Sequence, residues 1–178
     1  MGLDVTRTRE PGGSPGAEAI RALVLNGEAE RWSPRTEALM MFAARSDHLE
    51  RTIRPALEAG RWVVCDRFAD SSRVYQGVAG GVDPDFIDAL DAEVVGPDQP
   101  DVTLIFDLPV ETGLARAMGR GQGETRFESK GLAFHARLRD GFHAVAEAHP
   151  DRCRIIDAQG DPDAVAARVW AVIEPLLP

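Results

Sequence analysis

Apolar residues fall along this chain in two rhythms. Short unbroken runs alternate with stretches where they return every three or four positions. Leu3–Thr8 reads as a short strand, and REPGGSPG after it is too dense in Gly and Pro for the interior of an element. Ser14-Pro15 has the form of a helix cap with proline at the first helical position. Ala19, Ile20, Leu23 and Val24 then keep helical spacing, which predicts a helix over roughly 15–25. Ser33-Pro34 repeats the cap and opens a long helix to about Ala59, stopped by Gly60 and kinked or broken at Pro55. Trp62–Cys65 is wholly apolar, the signature of a parallel strand buried on both faces. Further helices are expected over 84–95, 110–118 and 129–148, and strands over Val102–Asp107 and Arg154–Asp157. Asp161-Pro162 caps a last helix to about Pro175, and Gly119–Gly123 is a basic, glycine-rich loop.

Strands alternating with helices define an α/β fold with a mostly parallel sheet. No repeat or linker divides the chain, so one domain over 1–178 is expected. Such sheets bind ligands at the carboxyl ends of their strands. Three of these ends carry polar groups, at Thr8-Arg9-Glu10, Asp66-Arg67 and Asp107.

Composition narrows the function. With 44% hydrophobic residues the chain can bury a core, and its formal charge of −9 opposes long-range attraction to a nucleic-acid polyanion. No run is long and apolar enough for a spanning helix, and the N-terminus lacks a signal-peptide layout. Cys65 and Cys153 sit in short apolar runs and read as free thiols of a reducing compartment, so a cytoplasmic location is expected. His48, His135, His143 and His149 show no metal-ligand spacing and read as surface or capping groups. GRGQG follows a helix and is too short for a dinucleotide fingerprint.

The richest chemistry lies at Asp66-Arg67. An arginine at a strand end can hold a phosphate bidentately, and an adjacent aspartate can orient a reacting phosphate or a metal-bound water. A helix-capping Asp beside a surface Arg is the bland alternative. The segment VCDRFADSSRVYQG, with Asp66, Arg67, Phe68, Ser71, Tyr75 and Gln76, resembles the signature of the thymidylate kinase family. TREPGGSPGAEAIR, PRTEALMMFAARSDHLERTIRPALEAGRWVVCDR, PDVTLIFDLPVETGLARA and RGQGETRFESKGLAFHARLRDGF resemble successive segments of the bacterial type, over residues 3 to about 175.

That resemblance implies a P-loop-kinase-like parallel sheet flanked by helices. It implies transfer of the γ-phosphoryl of ATP, with Mg2+, to dTMP to give dTDP, by a homodimer. Arg67 would hold the dTMP phosphate, and Asp66 would position that group and reach magnesium through water. Ser71, Ser72, Tyr75 and Gln76 would lie along the base and sugar, with Tyr75 excluding a ribose 2′-hydroxyl. Arg45 would read the thymine edge, and Arg9, Pro11 and Gly12 would pack beside the substrate. Either Met41 or Phe42 would face the base; a 3.6-residue period puts them about 100° apart, so only one can. A lid loop at about 119–128 would supply catalytic arginines, Arg120 and Arg126, with Arg116 either a third or a plain surface residue.

One family motif has no counterpart. No GxxxxGKS/T string occurs, and the only lysine, Lys130, is far from a first strand. The family carries that motif on a central first strand and helix upstream of the segment matching Leu3–Thr8. The resemblance therefore implies that this strand and its phosphate loop are missing here, a mis-called start codon being the simplest origin. The first reading is then a dTMP kinase that is active when its upstream segment is present, with the activity of the 178 residues alone left open. A nucleotide-binding remnant without catalysis, or a kinase for a related deoxynucleotide, are the competing readings.

Overall fold

A computed structural model of the chain describes residues 2–26, 31–119 and 130–178. The expected lid at 119–128, with Arg120 and Arg126, falls almost wholly outside the described residues. Two compact units form, Met1–Gln99 and Pro100–Pro178.

In the first unit β1 (Val5–Arg9) pairs in parallel with β2 (Trp62–Asp66), in a register running from Val5 opposite Trp62 to Arg9 opposite Asp66. Parallel neighbours need a crossover, and here it is helical. It comprises α1 (Pro15–Leu25), α2 (Pro34–His48) and α3 (Arg54–Glu58). The capping signals act as expected. Ser14 accepts from the Ala17 N–H and Ser33 from the Thr36 N–H, each followed by proline at the first helical turn. The expected break at Pro55 takes the form of a π-helical turn, Leu49–Ile53, where the Arg54 N–H reaches back to the Leu49 carbonyl. Proline lacks an N–H and crowds the carbonyl four residues earlier, so widening the ladder ahead of it relieves the clash.

After β2 come the short helix α4 (Ala69–Ser72), a π-helical turn Arg73–Val78 and α5 (Pro84–Val94). Phe42 on α2 is 1% exposed and packs with Ala38, Val82 and Ile87. Burial of a side chain this size contributes about 2–3 kcal/mol. A second cluster, Leu49, Ile53, Ala69 and Val95, packs against Val63 of β2.

In the second unit β3 (Thr103–Asp107) pairs in parallel with β4 (Cys153–Asp157), and α6 (Val110–Gly119), α7 (Gly131–Ala148) and α8 (Pro162–Ile173) accompany them. Phe134, Leu138 and Val145 of α7 are buried, as are Ile105 of β3 and Ile156 of β4. Asp161 caps α8 by accepting from the Ala164 N–H.

The fold is thus α/β, with parallel strands flanked by helices. One expectation is corrected. The apolar runs do not make strands buried on both faces: Val64 and Phe106 are each 56% exposed. Among the described residues the strands form two separate pairs, each strand with a single neighbour, and part of each apolar run stays exposed.

Candidate functional site

Three backbone features converge where β1 and β2 end. Arg9 and Asp66 are register partners at the last rung, and the Glu10 N–H continues the ladder to the Asp66 carbonyl at 2.9 Å. Arg67 follows with φ of 67°, a left-handed conformation unusual for a side chain with a Cβ. Strain of this kind costs about 1–3 kcal/mol and collects at functional sites. The Arg67 guanidinium lies 4.9 Å from the Tyr75 ring centre, so the π-helical turn supports the cation that the strand end projects. Asp66 and Arg67 are both exposed.

The loop after β1 is drawn tight around Gly13. A Cβ there would stand 2.4 Å from both His48 Nε2 and Thr8 Oγ1, and φ is +84°. The Gly13 N–H donates to Glu18 Oε1 at 3.0 Å, which is the main cause of the lowered Glu18 pKa. Arg9 pairs with the same carboxylate at 3.0 Å, and Arg21 donates to the Pro11 carbonyl at 2.6 Å. Gly12 is buried, with Glu18 filling the space a side chain would need. Asp47 on α2 accepts from the Ser14 hydroxyl at 2.6 Å and from the Gly16 N–H at 3.1 Å, and Arg51 pairs with its other oxygen. The Ser14 bond, then Arg51, lowers the Asp47 pKa.

Behind the loop lies a buried polar chain. Arg45 is 3% exposed, and its Nε donates to Glu10 Oε2 at 2.7 Å. Its Nη2 donates to Ser72 Oγ at 3.2 Å, and its guanidinium stands 4.5 Å from the Phe42 ring and 5.4 Å from the Phe68 ring. Its Nη1 is buried, with no hydrogen-bond partner among the described residues. Glu10 Oε1 lies 3.0 Å from His48 Nδ1, and His48 Nε2 lies 2.7 Å from Thr8 Oγ1. A buried guanidinium with one donor unsatisfied carries an uncompensated desolvation cost.

The expected site residues divide accordingly. Arg45 and Ser72 are brought together, as are Arg67 and Tyr75. Arg9 ends β1, and Pro11 and Gly12 lie in the loop that follows it. Ser71 is partly exposed and donates its backbone N–H to the Phe68 carbonyl. Gln76 is buried and donates to Glu37 Oε1 at 2.7 Å, so its amide nitrogen is committed to α2. Phe42 is closed into the core while Met41 is partly exposed. In the second unit Arg116 donates to the carbonyls of Ala158 and Gly160. His48 is not the surface or capping group expected: it is 0% exposed, because both ring nitrogens are taken inside the fold. His48 is the residue the motif reading passed over, and Glu10 was named only as a polar strand end. The available signal was spacing, since Arg45 and His48, three apart, share one helix face.

Asp107 ends β3 and is held by Arg139 through two bonds of 2.6 and 2.8 Å, with His143 Nε2 at 3.1 Å. Arg139, first among these, holds its carboxyl well below the usual range. Burial pushes the Cys65 thiol up, and neither Cys65 nor Cys153 is in a disulfide. Among the described residues no cluster of three or more His, Cys, Asp or Glu could hold a metal, and no helix is long and apolar enough to cross a membrane.

A strand end edged with arginine, backed by a guanidinium held against two phenylalanines, suits an α/β protein that binds a phosphorylated ring. That is the class into which this chain falls. The family model described as thymidylate kinase matches residues 1–169. A thymidylate kinase of Caulobacter vibrioides is 59% identical over 172 residues, covering 97% of this chain and 82% of the relative. One of Jannaschia is 53% identical with the same coverage. A crystal structure of thymidylate kinase from Ehrlichia chaffeensis aligns with a TM-score of 0.74 at 30% identity, over 98% of this chain and 82% of that one. The chain belongs to the thymidylate kinase family.

Proposed function

We propose that the chain carries the acceptor side of a dTMP kinase, which moves the γ-phosphoryl of ATP to dTMP. The observation that carries this reading is Arg45, a buried cation whose Nη1 lacks an acceptor among the described residues. An orphaned buried donor costs about 1–3 kcal/mol, and a thymine carbonyl would satisfy it. Arg67 then takes the phosphate, with Arg9 beside it. Met41, partly exposed, faces the base, while Phe42 stays in the core and supports Arg45 from beneath. Tyr75 holds Arg67 and crowds the sugar, and Ser71 and Ser72 line the same path. Pro11 and Gly12 shape the loop. Gln76 acts on the base side through its amide oxygen.

Magnesium, when bound, neutralises charge on the phosphates. Asp66 is an exposed carboxylate and belongs to no cluster of three or more metal-ligating groups among the described residues, which suits a water-mediated hold rather than an inner-shell cage. These 178 residues hold no GxxxxGKS/T string, so the residues assigned are those of the acceptor side. Arg120 and Arg126 are assigned as the lid cations. A homodimer and a cytoplasmic location complete the proposal, both on family resemblance.

A nucleotide-binding remnant without catalysis is the competing reading. A panel of deoxynucleoside and nucleoside monophosphates, tested by calorimetry and then as phosphoryl acceptors, separates the two. Tightest binding and turnover of dTMP supports the kinase. Binding of dTMP without turnover supports the remnant. Preference for another monophosphate overturns the substrate assignment.

A further inference from the structure

Resting on that reading of Arg45 as the base-reading group, we propose that His48 is its positioning residue. His48 keeps the Glu10 carboxylate from closing bidentately on the guanidinium. The argument starts from what an arginine offers. Nε–H and one Nη2–H point the same way and form a fork that a carboxylate takes with both oxygens, the strongest arrangement available to the pair. Glu10 sits one residue beyond β1 and meets Arg45 at 2.7 Å, yet it uses only one oxygen. Its second oxygen lies 3.0 Å from His48 Nδ1. Nη2 is thereby left to Ser72, and Nη1 to no acceptor among the described residues.

The tautomer follows from the same geometry. A carboxylate only accepts, so Nδ1 carries the proton and donates to Glu10. The Thr8 hydroxyl can then donate to Nε2 of a neutral ring. With one anion and one cation already buried, a neutral imidazole leaves the cluster without net charge. Thr8 is fixed in β1, and Gly13 closes over the ring with no room for a Cβ, so the imidazole cannot swing away. His48 and Arg45 are both on α2, three residues apart. Without the Nδ1 donor, Glu10 Oε1 is free to take Nη2 from Ser72 and turn the guanidinium.

Two substitutions separate positioning from bulk. In His48→Asn the side-chain amide reaches the place of Nδ1 and keeps a donor for Glu10. In His48→Gln the amide reaches the place of Nε2, keeping Thr8 and losing Glu10. Calorimetry on the full chain is expected to show dTMP binding about tenfold weaker in H48Q and within about threefold of the unaltered chain in H48N, whichever variant has the lower melting temperature; tenfold is about 1.4 kcal/mol. Nitrogen NMR of the ligand-free chain is expected to report His48 protonated on Nδ1 and not on Nε2. A proton on Nε2 in the neutral ring overturns the inference. So does binding that follows melting temperature rather than the Glu10 contact. If the unaltered chain binds dTMP and H48Q binds it equally well, this inference alone fails. If the unaltered chain binds no dTMP, the proposed function falls and the inference with it.

Discussion

Arg67 projects from a left-handed backbone with φ of 67° and rests its guanidinium 4.9 Å from the Tyr75 ring. The two residues are joined by a helix and a π-helical turn, so backbone strain at one end is coupled to an aromatic rest at the other.

That coupling separates stability from binding. Glycine adopts the left-handed region without the ~1–2 kcal/mol cost borne by other residues. Arg67→Gly should therefore melt higher than Arg67→Ala, by roughly 4–8 °C per kcal/mol of relief in a unit this size. Both variants should lose dTMP binding by at least tenfold, because both lack the cation. Calorimetry and thermal melts on the pair test this together. Normal dTMP binding by Arg67→Ala would remove Arg67 from the phosphate site.

The loop after β1 makes a second prediction. Ser14 accepts from the Ala17 N–H and donates to Asp47 at 2.6 Å, tying the start of α1 to α2. Loss of a cap of this kind costs about 1–2 kcal/mol. Ser14→Ala should lower the urea midpoint by that equivalent, and Ser14→Asp should do worse, since it sets a second carboxylate against Asp47. An unchanged midpoint in Ser14→Ala would mean the loop holds without the cap.

Much of this was legible in the sequence because the signals were local. Ser14-Pro15, Ser33-Pro34 and Asp161-Pro162 each specify a helix start within four residues, and each cap forms. Pro55 announced its break, although periodicity could not show that a π turn would absorb it. Asp66-Arg67 and Tyr75 were legible as a motif, and spacing carries them to one strand end. What stayed hidden depends on contacts between distant segments. Nothing near His48 in sequence shows that Thr8 and Glu10 take both its ring nitrogens. Gln76 looked available for a ligand until Glu37, 39 residues away, took its amide. Val64 looked buried because an apolar run states preference, whereas burial needs a neighbour on each face.

Acid should act on the second unit through Asp107. Arg139, then His143, lowers its folded pKa below the ordinary carboxylate value of about 4. A depressed carboxyl adds stability that is complete above the unfolded value and is lost as pH falls toward the folded one. Melting temperature of the unaltered chain should therefore hold at neutral pH and decline below about pH 4. Asp107→Asn should melt lower at pH 7 and approach the unaltered chain as pH falls. Parallel curves from pH 7 to 2 would mean the bonds to Arg139 contribute nothing to folding.

The last prediction concerns the buried pair itself. Glu10 and Arg45 are each less than 5% exposed, and removing one partner leaves the other charged in a poor solvent. Such a change costs about 3–5 kcal/mol, a large share of the about 5–15 kcal/mol that holds a domain together. Glu10→Gln and Arg45→Met should each destabilise strongly by urea unfolding. The double variant should lose less than the sum, because the orphaned charge of each single variant is gone. The binding readout divides them differently. Glu10→Gln keeps the guanidinium and should retain weakened dTMP binding, whereas Arg45→Met and the double variant should lose it outright. Additive stability losses would show that the two charges are solvated separately. Equal binding by Arg45→Met and the unaltered chain would mean that the open Nη1 donor serves no ligand.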